Sequence, residues 1–194
     1  DIDVNYFQHI PFLENANAAS GSDLVPFKPG IINNIGLYSK TYKSLEALPT
    51  GATVAIANDP INSGRGLQLL AKAGLITLKP GVGYKATEDD ITANPKNINI
   101  LQVEAVQLVR AYDDADLVQG YPAYIRLAKT FDAGSALLFD GLDHPEYVIQ
   151  FVIKPQNKDD PRIAKFVDIY QHSPVVKASL DKTYGTLYQP GWGG

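Results

Sequence analysis

Short apolar runs rich in β-branched residues alternate with stretches of helical periodicity along this chain, and no other feature constrains its fold as strongly. The runs are residues 31–38, 53–57, 98–103, the pair Leu117-Val118, and 147–153. Strands separated by helices predict an α/β architecture with a largely parallel sheet. The first clear helix follows Asn58-Asp59-Pro60-Ile61-Asn62-Ser63, with Asp59 and Ser63 as alternative caps. Its apolar face is Leu67, Leu70 and Ala71, and Gly74 stops it. A second helix is expected from Thr87-Glu88-Asp89-Asp90 to the break before Asn94-Pro95, with acids at its positive end. A third covers residues 104–112. Asp159-Asp160-Pro161-Arg162 sets a cap and a first-turn proline ahead of Ile163, Phe166, Val167 and Tyr170, and a further helix spans residues 174–184. The Gly/Pro-rich end, 189–194, is expected to be irregular. The opening Asp1-Ile2-Asp3-Val4 reads as the interior of a strand. Together with the absence of any methionine, it predicts residues ahead of Asp1 in the working protein.

With 194 residues, 45% of them hydrophobic and 20% charged, the chain suits one large domain or two small lobes with a core of their own. A net charge of −4 without a basic cluster leaves no electrostatic footprint for nucleic acid or an anionic membrane surface. Cysteine is absent, which excludes disulfides, thiolate metal sites and thiol nucleophiles. No apolar stretch approaches the roughly 20 residues of a membrane helix. His9, His144 and His172 lie far apart and form no metal-ligand spacing. The pairs Asp89-Asp90, Asp113-Asp114 and Asp159-Asp160 each sit beside an expected helix end. Capping explains them there, although two carboxylates are also what acid/base catalysis needs. Neither a nucleophile elbow nor a phosphate loop is present, and Gly64-Arg65-Gly66 lacks the rest of a dinucleotide fingerprint. No catalytic residue, metal or cofactor is expected.

Two segments stand out. In Asn5-Tyr6-Phe7-Gln8-His9, an extended backbone puts Asn5, Phe7 and His9 on one face and Tyr6 on the other. Clustered aromatics with an imidazole can line a pocket for a small apolar side chain, a thioether included, or can pack as a strand end in the core. In Asn58-Asp59-Pro60-Ile61-Asn62-Ser63-Gly64-Arg65, free backbone N–H groups, Asn62, Ser63 and a guanidinium gather at a helix N-terminus after a strand. That arrangement suits a carboxylate, which arginine grips with two parallel hydrogen bonds. Arginine is otherwise poorly placed in a first helical turn, where acids are favoured. The alternative is a surface arginine paired to Asp59 or another acid.

These segments also carry a resemblance to a known family. Tyr6-Phe7-Gln8-His9 with Pro11 and Glu14 resembles the YFQH-x-P motif of the methionine-binding lipoproteins (NlpA family), and Asn58-Asp59-Pro60-x-Asn62-x-Gly64-Arg65 resembles their NDP-x-N-x-GR motif. The similarity continues in order through Gly36-Leu37-Tyr38-Ser39-Lys40, Tyr42-Lys43-Ser44-Leu45, Asn94-Pro95-Lys96-Asn97 and Asp159-Asp160-Pro161-Arg162. It implies a two-lobed α/β fold of the periplasmic-binding-protein type (type 2), with the ligand in the interlobe cleft. Residues 1–46 and 135–194 would form lobe one and 47–134 lobe two. It further implies a monomeric, non-enzymatic, extracytoplasmic solute-binding protein that delivers an amino acid, methionine first among them, to a membrane ABC importer. The protein would be periplasmic or at the cell surface, lipid-anchored through an N-terminal cysteine. By the same resemblance Tyr6, Phe7 and His9 surround the methionine side chain, while Arg65 and Asn62 hold the carboxylate end. Relatives that bind methionine carry an N-G-N segment whose asparagines contact the amino-acid group. Here Gln119-Gly120-Tyr121-Pro122 stands in its place, with Gln119 and Tyr121 as the candidates for those contacts. Another amino acid or a methionine-containing dipeptide is the neighbouring reading. An extracytoplasmic hydrolase built on His9 is the reading from a different class.

Overall fold

Residues 2–193 are described in the computed structural model; Asp1, in the expected opening strand, and Gly194, in the expected irregular C-terminal end, lie outside the described residues. Along the chain, β1 (Val4–His9) leads into α1 (Ile10–Ser20), followed by β2 (Val25–Pro29), β3 (Ile31–Asn33), β4 (Gly36–Tyr38) and β5 (Thr53–Ala57). Then come α2 (Pro60–Lys72), β6 (Thr77–Leu78), β7 (Ile91–Ala93), β8 (Asn99–Val103), α3 (Leu108–Ala111), β9 (Leu117–Gly120), α4 (Pro122–Ala128) and β10 (Leu138–Phe139). The chain closes with β11 (Ile149–Ile153), α5 (Pro161–His172), α6 (Pro174–Tyr184) and β12 (Tyr188–Pro190).

The chain divides into two units: residues up to Asn33 together with those from Leu142 onward, and Asn34–Gly141. The division falls at 33/34 and 141/142, where the family resemblance implies 46/47 and 134/135. Strand pairing explains the difference. β4 pairs with both β9 and β10, so the segments flanking the expected boundaries belong to the second unit's sheet. The apolar run 31–38 is accordingly two strands: β3 pairs with β12 in the first unit, and β4 lies in the second. Pairing with β3 also draws Gln189 and Pro190 into a strand, where an irregular end is expected.

The first unit's main sheet has the order β1-β11-β2 and is antiparallel throughout, in contrast to the expected parallel sheet. Its core gathers Phe151 and Ile153 of β11 with Ile163 and Val167 of α5, and Tyr6, Phe27 and Tyr170 pack against them. Helix α5 starts where the sequence places it, because the Asp160 side chain caps the Arg162 N–H at 2.8 Å. The Arg162 guanidinium folds back onto the same carboxylate at 2.6 Å and holds its pKa down at about 2.

In the second unit the order is β10-β4-β9-β5-β8, and pairing is parallel only around β5, with β8 and β9. Val54, Ile56, Leu37 and Leu117 of this sheet bury against Leu67 and Leu70 of α2. Helix α2 ends in a Schellman motif: Gly74 takes φ +72°, its N–H donates to Ala71 and that of Leu75 to Leu70. The helix expected after Thr87 does not form. Thr87 and Asp90 cap each other around a single 3₁₀ turn at Glu88–Asp90, and Ile91–Ala93 then extends as β7 against β6. The β-branched pair Ile91-Thr92 favours the strand. The helix expected over 104–112 shortens to a 3₁₀ turn at Ala105–Gln107 and the four residues of α3. Among the described residues, no helix is long and apolar enough to cross a membrane.

Candidate functional site

In the second unit β5 runs through Asn58 and Asp59 directly into α2. Asp59 is the N-cap: its Oδ1 accepts the Asn62 N–H at 3.0 Å, and the Asn62 side-chain amide donates to both Asp59 carboxylate oxygens at 3.2 and 3.0 Å. One turn further, Arg65 is only 5% exposed. Its Nε and Nη2 both donate to Oδ2 of Asp140, at 2.7 and 2.6 Å. The second Asp140 oxygen accepts the Ile35 N–H at 2.9 Å. Lys72 Nζ donates to the Asp140 carbonyl at 2.7 Å and so ties α2 to the residue that follows β10. Arg65 is therefore paired to an acid, but the acid is Asp140 rather than Asp59, and the pair is buried. Sequence reasoning misses Asp140, since 75 positions separate the partners and no local pattern joins them. The available signal is a lone acid directly after the apolar strand Leu138–Phe139.

Gln119, a candidate ligand contact in the sequence, has no exposed surface. Its Oε1 accepts the Ala57 N–H at 2.8 Å, while Nε2 donates to the Asn62 carbonyl at 3.1 Å and to the Tyr121 hydroxyl at 2.9 Å. Burial pushes the Tyr121 pKa far up, and the nearby Arg65 charge pulls the other way. Asn62, Gln119 and Tyr121 are thus joined by hydrogen bonds at the N-terminus of α2, with Arg65 close enough to act on the phenol electrostatically.

Gly64 is what lets α2 lie against the loop before Thr87. A Cβ there would run into the backbone carbonyl of Tyr84 and sit 3.2 Å from the carbonyl oxygen of Ala86. Backbone cannot rotate aside, so Gly64→Ala is expected to destabilise the protein by about 1–3 kcal/mol, as overpacking does. A urea unfolding series read by circular dichroism will measure the loss.

The first unit presents the other motif. In the β1–β11 register Tyr6 faces Phe151 and His9 faces Ile149, so a bulge at Phe7-Gln8 interrupts the pairing. That bulge breaks the two-residue period behind the expected shared face. Phe7 is 56% exposed, whereas His9 is 7% exposed. The His9 Nδ1 caps α1 by accepting the Phe12 N–H at 3.3 Å, and its ring lies 5.3 Å from that of Tyr147. Tyr6 turns into the core. Its ring stacks on Phe151 at 4.2 Å, its hydroxyl accepts the Ile31 N–H at 3.0 Å, and it shares a 2.9 Å hydrogen bond with the Tyr170 hydroxyl. Burial first of all, then the Tyr170 hydroxyl, drives its pKa upward. Among the described residues, no group of three or more His, Asp or Glu side chains is placed to hold a metal ion.

Residues 1–192 match the sequence profile of the NlpA lipoprotein family. The D-methionine-binding lipoprotein MetQ of Salmonella typhimurium is 40% identical over 197 residues, covering 99% of this chain and 71% of that protein. A crystal structure of the methionine-binding protein MetQ superposes with a TM-score of 0.94 at 38% identity, over 100% of this chain and 79% of that one. A nutrient-binding protein from Burkholderia cenocepacia bound to methionine superposes with a TM-score of 0.92 at 36% identity, over 99% of this chain and 80% of that one.

Proposed function

This chain belongs to the NlpA lipoprotein family, and from that premise we propose that it binds methionine outside the cytoplasm and delivers it to an ABC importer. The observation that carries the reading is similarity along nearly the whole chain to proteins named for methionine binding and to a nutrient-binding protein solved bound to methionine. It acts as a binding protein rather than an enzyme, a monomer attached to the cell envelope by lipid, as befits a family of lipoproteins. Within it, Arg65 takes the carboxylate end of the ligand, one turn beyond the N-terminus of α2 that Asp59 caps. Asp140 holds the guanidinium in one orientation. Asn62, whose amide is turned onto Asp59, orders that helix start. In the first unit, the exposed Phe7 ring is the group that the family resemblance assigns to the thioether side chain. The Phe12 ring supports it edge-on at 5.7 Å, and His9 holds the start of α1 beneath them. Tyr6 contributes by fixing the strand from behind.

Calorimetric titration of the protein, stripped of ligand by unfolding and refolding, tests the reading. L- or D-methionine is expected to bind more tightly than leucine, glutamate or lysine. Absence of binding to every amino acid and to methionine dipeptides would remove the proposal, and turnover of amino-acid esters would replace it with the hydrolase.

A further inference from the structure

We infer that Gln119 is a positioning residue rather than a ligand contact, and that it aims the Tyr121 hydroxyl so that its proton is donated to the ligand's carboxylate beside Arg65. This rests on the reading above and names a second donor for the same anion.

A glutamine amide has two N–H donors. Both are occupied, one by the Asn62 carbonyl at 3.1 Å and the other by the Tyr121 oxygen at 2.9 Å, and Oε1 is held by the Ala57 N–H at 2.8 Å. With no exposed surface and all its donors in use, Gln119 has nothing left to offer a ligand. Its position is set from two sides. One is the end of β5. The other is α2, where a Cβ on Gly66 would come within 2.8 Å of the glutamine oxygen. Because Gln119 donates into the Tyr121 oxygen, the phenol's own proton must point elsewhere. Among the described residues that proton has no acceptor. Accepting one hydrogen bond strengthens a hydroxyl as donor of the next. Burial keeps the phenol protonated at neutral pH, so it serves an anion as a donor and cannot repel it. Asp59 and Asp140 already stand near this cluster, so a neutral donor adds affinity for a carboxylate without adding charge.

Titrating methionine into Tyr121→Phe, Gln119→Glu and the double variant tests this. Tyr121→Phe removes one hydroxyl and is expected to weaken binding roughly 10- to 150-fold, as befits a hydrogen bond to a charged group. Gln119→Glu keeps the acceptor for the Ala57 N–H but replaces the donor facing Tyr121 with an acceptor. It should draw the phenol proton away from the ligand and weaken binding by at least as much. Introduced into the Tyr121→Phe variant, the same Gln119→Glu change should alter affinity by less than about twofold. Two losses that multiply, or a Tyr121→Phe variant with native affinity, would overturn the inference. Should the glutamate variants not fold, 3-(methylthio)propylamine, which lacks the carboxylate, provides the second measurement. Tyr121→Phe must leave its affinity unchanged while weakening methionine, and equal losses for both would overturn the assignment. If the unaltered protein binds no methionine, the functional reading itself has failed, and this inference falls with it.

Discussion

Replacing Arg65 with methionine is expected to lower methionine affinity by roughly two to four orders of magnitude and, at the same time, to destabilise the folded protein by about 3–5 kcal/mol. Both effects come from one guanidinium. On the ligand side, a desolvated carboxylate loses its charged partner. On the protein side, Asp140 remains buried at 7% exposure with its negative charge uncompensated. The stability loss obscures a binding defect unless the two are separated, and Asp140→Asn separates them. Asparagine keeps an acceptor for the Ile35 N–H but carries no charge. Arg65→Met/Asp140→Asn should therefore regain most of the lost stability while its affinity stays low, because replacing both members of a buried pair removes the unpaired charge. Urea unfolding and calorimetric titration on the same preparations give both numbers. A folded Arg65→Met protein with near-native affinity would dismiss Arg65 as the carboxylate anchor. A double variant that recovers binding would dismiss it too.

Truncating Tyr6 to alanine should cost about 3–5 kcal/mol of stability, the range for removing a large aromatic from a core. The ring stacks on Phe151 at 4.2 Å, meets Tyr170 edge-on at 5.2 Å, and fills the space over Gly30, where no Cβ would fit. Tyr6→Phe keeps all of that and removes only the hydroxyl, leaving the Ile31 N–H without its acceptor. The expected cost is about 1–3 kcal/mol. If Tyr6 works from behind the strand, Tyr6→Phe should bind methionine within about twofold of the unaltered protein, well under 1 kcal/mol of affinity. A loss of tenfold or more in a protein that still melts cooperatively would return Tyr6 to the ligand-contacting set that the family resemblance suggests.

Local chemistry was legible in the sequence. Asp59, one of the two caps offered for α2, and Asp160 cap their helices, Pro161 opens the second of them, and Gly74 ends the first, because each of these acts within one turn of backbone. The family, the α/β class and the clustering of polar groups at the start of α2 were legible for a related reason. They are written as contiguous motifs. Failures began where a neighbour along the chain competed with one across space. Thr87 to Asp90 carry a good helix start, but Ile91 and Thr92 found a strand partner in β6. The run 31–38 carries Asn33-Asn34, a pair disfavoured in strands, where it breaks, but that its halves enter different sheets follows only from what β3 and β4 each pair with.

For the site, residue types alone determined that a guanidinium, an amide and a helix N-terminus would stand together, since eight consecutive residues supply them. Only the tertiary structure decided which partners those groups take. It joined Arg65 to Asp140, turned Gln119 inward onto Ala57 and Asn62, and through one bulge in β1 buried His9 while Phe7, expected on the same face, stays exposed. The physical reason is that a buried polar group must find a partner wherever the fold provides one, and that partner is chosen by distance in space.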